Sequence, residues 1–136
     1  MSYAGDLTPS QAWELLQAQP DAVLVDVRTQ AEWTFVGVPD LSQIGKQPLL
    51  VEWSSMQAGP DPAAFLQAVT AVVEADTPIV LLCRSGHRSV AAAQTLTAAG
   101  YGCSYNIEDG FEGPLDAAGH RGARGWRADG LPWRQQ

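Results

Sequence analysis

The residues best suited to chemistry lie together at Cys83-Arg84-Ser85-Gly86-His87-Arg88-Ser89. A cysteine thiolate is a strong nucleophile, and it becomes reactive where cations and backbone N–H groups gather around it. The apolar run Ile79-Val80-Leu81-Leu82 delivers Cys83, and an alanine-rich stretch beginning at Ser89 follows the loop. Amides at a helix start point outward without intrahelical partners, and the helix dipole adds partial positive charge there. Gly86 lets the backbone curl with no side chain in the way. Arg84 and Arg88 are permanent cations within reach of Cys83, although Arg84 can equally face solvent. Together these features favour the thiolate. A thiolate in a nest of donors can attack a sulfur or phosphorus centre, and the same donors then hold the product. Ser85 and Ser89 can donate to the sulfur, with helix capping as the other role for Ser89. His87 is expected to project from the middle of the loop, toward substrate, partner or solvent. Cys103, between Gly102 and Ser104, has no cationic neighbour and reads as an inert strand residue.

Such a loop needs elements to hold it. Thr8-Pro9-Ser10-Gln11 reads as a helix start, with Thr8 as cap, Pro9 at the first position and Gln11 completing a capping box. Ala12, Leu15 and Leu16 supply its apolar face. Ala22 to Val27 reads as a buried strand, and Leu49 to Trp53 as a second candidate. Asp61-Pro62 opens a helix with Phe65, Leu66, Val69, Val72 and Val73 on one stripe, and Thr77-Pro78 breaks it. Ile79 to Leu82 is the clearest strand. Ser89 to Ala99 reads as a helix with Gly100 just past its end, and Gly102 to Ile107 as the last strand. Strands alternating with helices predict an α/β domain with a largely parallel sheet. The loop at Cys83 would then lie at the carboxyl edge, where such sheets bind ligands. Asp26 and Arg28 fall at the end of a strand on the same edge, and their expected role is supporting: a pair that steadies the neighbouring loops.

Composition narrows the function classes. A chain of 136 residues that is 46% hydrophobic can build a core without staples, as one domain over 1–136. Its core is expected at about 5–116, with a turn-rich tail at 117–136 docked by Trp126, Leu131 and Trp133. The net charge of −7 argues against a nucleic-acid binder. Residues 1–82 hold ten acids and two bases, whereas residues 83–136 hold five acids and six arginines. An anionic substrate is therefore drawn to the second part. Two cysteines make no disulfide framework, and the two histidines are not at ligand spacing, so neither metal nor cofactor is expected. The N-terminus shows no charged-then-apolar leader, and Ile79 to Cys83 is far too short to cross a bilayer. A reducing cytoplasm, with both thiols free, is the expected setting.

The loop resembles the active-site loop C-R-S-G-x-R-S of single-domain members of the rhodanese family. Leu24 to Trp33, L-V-D-V-R-T-Q-A-E-W, resembles the family's upstream motif D-V-R-x-x-x-E-[FYW]. The resemblance implies a three-layer rhodanese-like domain, with a parallel five-stranded sheet flanked by helices. It also implies a sulfurtransferase in which Cys83 carries sulfane sulfur as a persulfide, with Arg84 to Ser89 holding the substrate. The partners implied are a small anionic donor such as thiosulfate and a thiol, cyanide or protein acceptor. One departure stands out: the family's G-H-I-x-G-A is replaced by Phe35-Val36-Gly37-Val38-Pro39-Asp40-Leu41, so the 35–60 segment is expected to shape substrate choice.

Two other functions remain on this reading. One is a persulfide carrier or regulatory module for a protein partner. The other is a Cys-loop-Arg phosphatase or arsenate reductase. Four residues separate Cys83 from Arg88, against five in the related phosphatases, which makes the ring better sized for one sulfur atom.

Overall fold

A computed structural model of the chain describes residues 2–55 and 57–135. Met1 and Gln136, the ends of the expected domain, and Met56, in the atypical 35–60 stretch, lie outside the described residues. The elements run β1 (Gly5–Leu7), α1 (Pro9–Ala18), β2 (Val23–Asp26), α2 (Gln30–Phe35), β3 (Val38–Pro39), β4 (Leu49–Leu50), β5 (Ser54–Ser55), β6 (Gly59–Pro60), α3 (Pro62–Thr70), β7 (Ile79–Leu82), α4 (His87–Ala98), β8 (Ser104–Ile107) and β9 (Trp133–Arg134). Five strands form a sheet in the order β1-β8-β7-β2-β4, and every neighbouring pair is parallel.

Side chains alternate across the strands and divide the core into two layers. Val25, Ile79 and Leu81 pack with Phe65 and Val69 of α3 and Ala92, Ala93 and Leu96 of α4. Leu24, Val80, Leu82 and Ile107 pack with Ala12 and Leu16 of α1 and with Phe111 and Trp126 from the tail. The chain is thus the expected three-layer α/β arrangement. β7 lies at the centre of the sheet with all four residues buried on both faces, as its unbroken apolar sequence requires.

Local sequence explains the helix starts. Thr8 and Gln11 form the capping box at α1, and Pro9 occupies its first turn. Thr29 and Glu32 form a second box at α2, and Asp61 caps α3 by accepting from the Ala64 amide. α1 has no basic residue in its last turn. Lys46 serves instead, its ammonium donating to the carbonyls of Leu16, Gln19 and Ala22 at 2.7–2.8 Å.

Several boundaries differ from the sequence reading. α3 ends at Thr70, so Val73 is buried from the following turn while Val72 is 67% exposed. Leu49 to Trp53 is a strand only at Leu49–Leu50, although the Val51 and Trp53 amides continue the pairing to the carbonyls of Asp26 and Val27. Cys103 is exposed and sits one residue before β8 rather than within a strand. β1, too short to show a pattern, was not foreseen and closes one edge of the sheet against β8. No helix among the described residues is long and apolar enough to cross a membrane.

Candidate active site

Cys83 follows the last residue of β7, and α4 begins four positions later at His87 rather than at Ser89. The turn between them is short because Gly86 adopts φ +107°, a conformation that side chains disfavour, and feeds directly into the helix. His87 therefore opens the first turn of α4 instead of projecting from mid-loop. The ring folds back on the cysteine. The Gly86 amide donates to Cys83 Sγ at 3.1 Å, and Ser89 Oγ lies 3.1 Å from the same sulfur. Cys83 is 1% exposed, at the floor of this ring. Ser89 is buried and also bonds Asn106 of β8. Ser85 is half-buried, and Arg84 and His87 are exposed at the rim.

The charges are arranged differently from a simple reading of the loop. Arg88 makes a bidentate pair with Glu32 of α2, Nη1 to Oε1 at 2.7 Å and Nη2 to Oε2 at 3.0 Å. The hydrogen bonds it donates to Glu32 hold the Arg88 guanidinium above its ordinary pKa, and the nearby Cys83 and Asp26 charges act in the same direction. Burial pushes Glu32 up, but the hydrogen bonds from Arg88 and the Thr29 amide outweigh it and leave the carboxyl below its usual value. Arg88 is a positioned cation beside the ring, and Glu32 balances its charge.

Asp26 and Arg28 are fully buried and paired, with Arg28 Nη2 to Asp26 Oδ2 at 2.7 Å. Arg28 also donates to the Gly37 carbonyl at 2.7 Å, and its guanidinium lies 4.3 Å from the centroid of the Phe111 ring. This pair joins the end of β2, the segment after α2 and the segment after β8. The hydrogen bonds to Cys83 Sγ come from the ring itself, at Gly86 and Ser89, and not from this pair.

The back of the ring is built by residues 109–113. The Phe111 amide donates to the Cys83 carbonyl at 2.8 Å, and the Glu112 and Gly113 amides both donate to Arg84. A β-carbon on Gly110 would strike the Cys83 and Arg84 carbonyls, so only glycine fits there. The Trp126 amide in turn donates to the Gly110 carbonyl at 2.8 Å.

Sequence reasoning did not single out Asn106, Asp6 or Glu32 as site residues. Glu32 was visible as the acid of the upstream motif. Asp6 is exposed on a strand too short to show a pattern, whereas Asn106 is buried in β8, and a buried polar residue in a strand asks for a partner. Among the described residues no group of three or more His, Cys, Asp or Glu side chains is placed to hold a metal ion.

A family model described as the STR4 middle domain matches residues 5–136. The crystal structure of Rv0390 from M. tuberculosis superposes with a TM-score of 0.92, at 56% identity over 99% of this chain and 100% of that one. A protein of Rickettsia rickettsii, "Uncharacterized protein RP600 homolog", is 37% identical over 95% of this chain and 96% of its own length. The thiosulfate sulfurtransferase GlpE of Glaesserella parasuis is 29% identical over 79% of this chain and 83% of its own.

Proposed function

The chain belongs to the rhodanese-like family, matching its STR4 middle-domain model, and on that premise we propose that it transfers sulfane sulfur through Cys83. The observation that carries the proposal is the convergence of the Gly86 amide and the Ser89 hydroxyl on one sulfur at the carboxyl end of the central strand. The Cys83 thiolate attacks the outer sulfur of thiosulfate. The S–S bond breaks, sulfite leaves with its electron pair, and Cys83 holds a persulfide whose terminal sulfur is anionic. A thiophile such as cyanide or a thiol then attacks that terminal sulfur and restores the thiolate. Arg84 and His87 at the rim meet the incoming anion, and Ser85, Gly86 and Ser89 form the ring around the transferred atom. A dedicated carrier that hands its persulfide to a protein would use the same steps, in a reducing cytoplasm.

The phosphatase or arsenate-reductase alternative requires a guanidinium free to clamp a tetrahedral oxyanion. Arg88 has both terminal nitrogens on Glu32, which favours the single-sulfur reading. The test is a paired assay. Cys83→Ser is expected to abolish transfer of sulfur from thiosulfate to cyanide, while wild type shows no useful hydrolysis of an aryl phosphate. Retained transfer by the Cys83 variant, or efficient phosphate turnover by wild type, would overturn the proposal.

A further inference from the structure

We propose that Asp6, on the edge strand β1, sets the direction of a hydrogen-bond chain that ends on the Cys83 sulfur, and so acts as a positioning residue for the nucleophile; this rests on the reading of Cys83 as the reacting thiol. Asp6 and Asn106 are register partners on β1 and β8. The Asn106 amide nitrogen donates to Asp6 Oδ1 at 2.9 Å, and the Tyr3 hydroxyl donates to the same oxygen at 2.8 Å. Asn106 and Ser89 are buried and Asp6 is exposed, so the chain runs from the floor of the ring to the surface.

Its direction follows from counting protons. A carboxylate only accepts, so Asn106 must turn its NH2 toward Asp6 and its carbonyl oxygen toward Ser89. A hydroxyl has one proton. Ser89 gives that proton to Asn106 Oδ1 and presents lone pairs to Cys83. Of the two groups at 3.1 Å from Sγ, only the Gly86 amide then donates. The Ser89 oxygen accepts from the S–H form of Cys83, and it gives nothing to a thiolate or to the proton-free inner sulfur of a persulfide. A reversed chain would free the Ser89 proton for the sulfur. Asp6 blocks that reversal, because a turned Asn106 would place its carbonyl oxygen against the carboxylate. The sulfur thus rests with one donor fewer than its two neighbours could supply, which favours release of bound sulfur. Arg88, the cation nearest the sulfur on α4, is held by Glu32 and does not take part in the chain.

Asp6→Lys supplies a side chain that only donates and so forces the reversal, and an exposed edge strand tolerates lysine. Alkylation of Cys83 by iodoacetamide at neutral pH is expected to speed up about tenfold, the effect of roughly one hydrogen bond. Peptide mass spectrometry separates the label on Cys83 from that on the exposed Cys103. A charge change acting through space would also accelerate alkylation, so the same substitution is made in a Ser89→Ala background, where the chain is cut. There D6K should change the rate less than twofold. Equal acceleration in both backgrounds, or none in wild type, overturns the inference. Should D6K fail to give the wild-type circular dichroism spectrum, Asp6→Asn, which permits both directions, carries the test: it too should accelerate alkylation only when Ser89 is present. Alkylation needs no sulfur donor, so a protein that transfers no sulfur but shows these rates would count against the proposed reaction and not against the chain.

Discussion

The Glu32 carboxylate closes the capping box of α2 at Thr29 and also grips Arg88 through both terminal nitrogens. Its folded pKa lies below the unfolded value. The stabilisation it brings is therefore complete above the unfolded carboxylate pKa of about 4.3 and is lost as the pH falls through the lower folded value. The two side chains are 18% and 27% exposed, so solvent weakens the pair. Glu32→Gln is expected to cost roughly 1–2 kcal/mol at neutral pH, between the values for exposed and buried pairs. It should also flatten the acid limb of stability against pH. Urea unfolding across an acid-to-neutral series measures both, and an acid limb as steep in the variant as in wild type contradicts the assignment. Cys103 is exposed, and β8 and β7 run parallel with Ser104 beside Ile79, so Cys103 lies at the opposite end of the sheet from Cys83. Cys103→Ser should leave sulfur transfer near the wild-type rate, and a loss above tenfold would show that the second thiol takes part.

Among the elements, the turn from β8 into residues 109–113 carries the backbone of the ring. Gly110 has φ +57° and no room for a β-carbon, whereas Gly119 has φ +79° but open space around it. Gly110→Ala must therefore displace the carbonyls of Cys83 and Arg84. Since donor placement in such a site is worth about 10²–10³ in rate, a loss of that order is expected. Gly119→Ala bears only the strain of its conformation, about 1 kcal/mol, with turnover unchanged. Comparable rates for the two variants would show that the turn does not hold the ring. The sequence made this loop and its strand legible, because an apolar run, a cysteine and a helical stretch are all local signals. It could not show that Gly110 lies on the Cys83 carbonyl, a contact made by residues far apart in the chain. The start of α4 was misplaced for a related reason: Gly86 at positive φ admits His87 and Arg88 to the helix without a side-chain cap.

Across the whole molecule, the tail is the part that composition described least well. A turn-rich stretch with three scattered apolar residues gave no hint of register. In the structure β9 pairs with β3, Trp133 opposite Pro39. Trp126 is fully buried, donates from its indole to the Pro132 carbonyl at 2.7 Å and stacks edge-on against Trp13 of α1. We read residues 117–135 as part of the same cooperative domain as the sheet. Trp126→Ala should then cost about 3–5 kcal/mol and shift a single urea transition without splitting it. A separate early transition, with the sheet unaffected, would make the tail an appendage. The parallel order of the strands and the position of Cys83 at the carboxyl edge were readable from the alternation of helices and strands. The neutralisation of Arg88 by Glu32 was not, because a count of charges along the chain does not show which of them meet in space.

On the proposed function, Cys83 itself carries the transferred sulfur. Intact-protein and peptide mass spectrometry after incubation with thiosulfate test it directly. A mass increase of one sulfur atom is expected, located on the peptide that holds Cys83, absent in Cys83→Ser and removed by a chasing thiol. A protein that turns over thiosulfate with no added sulfur on Cys83, or with the sulfur on Cys103, would contradict it.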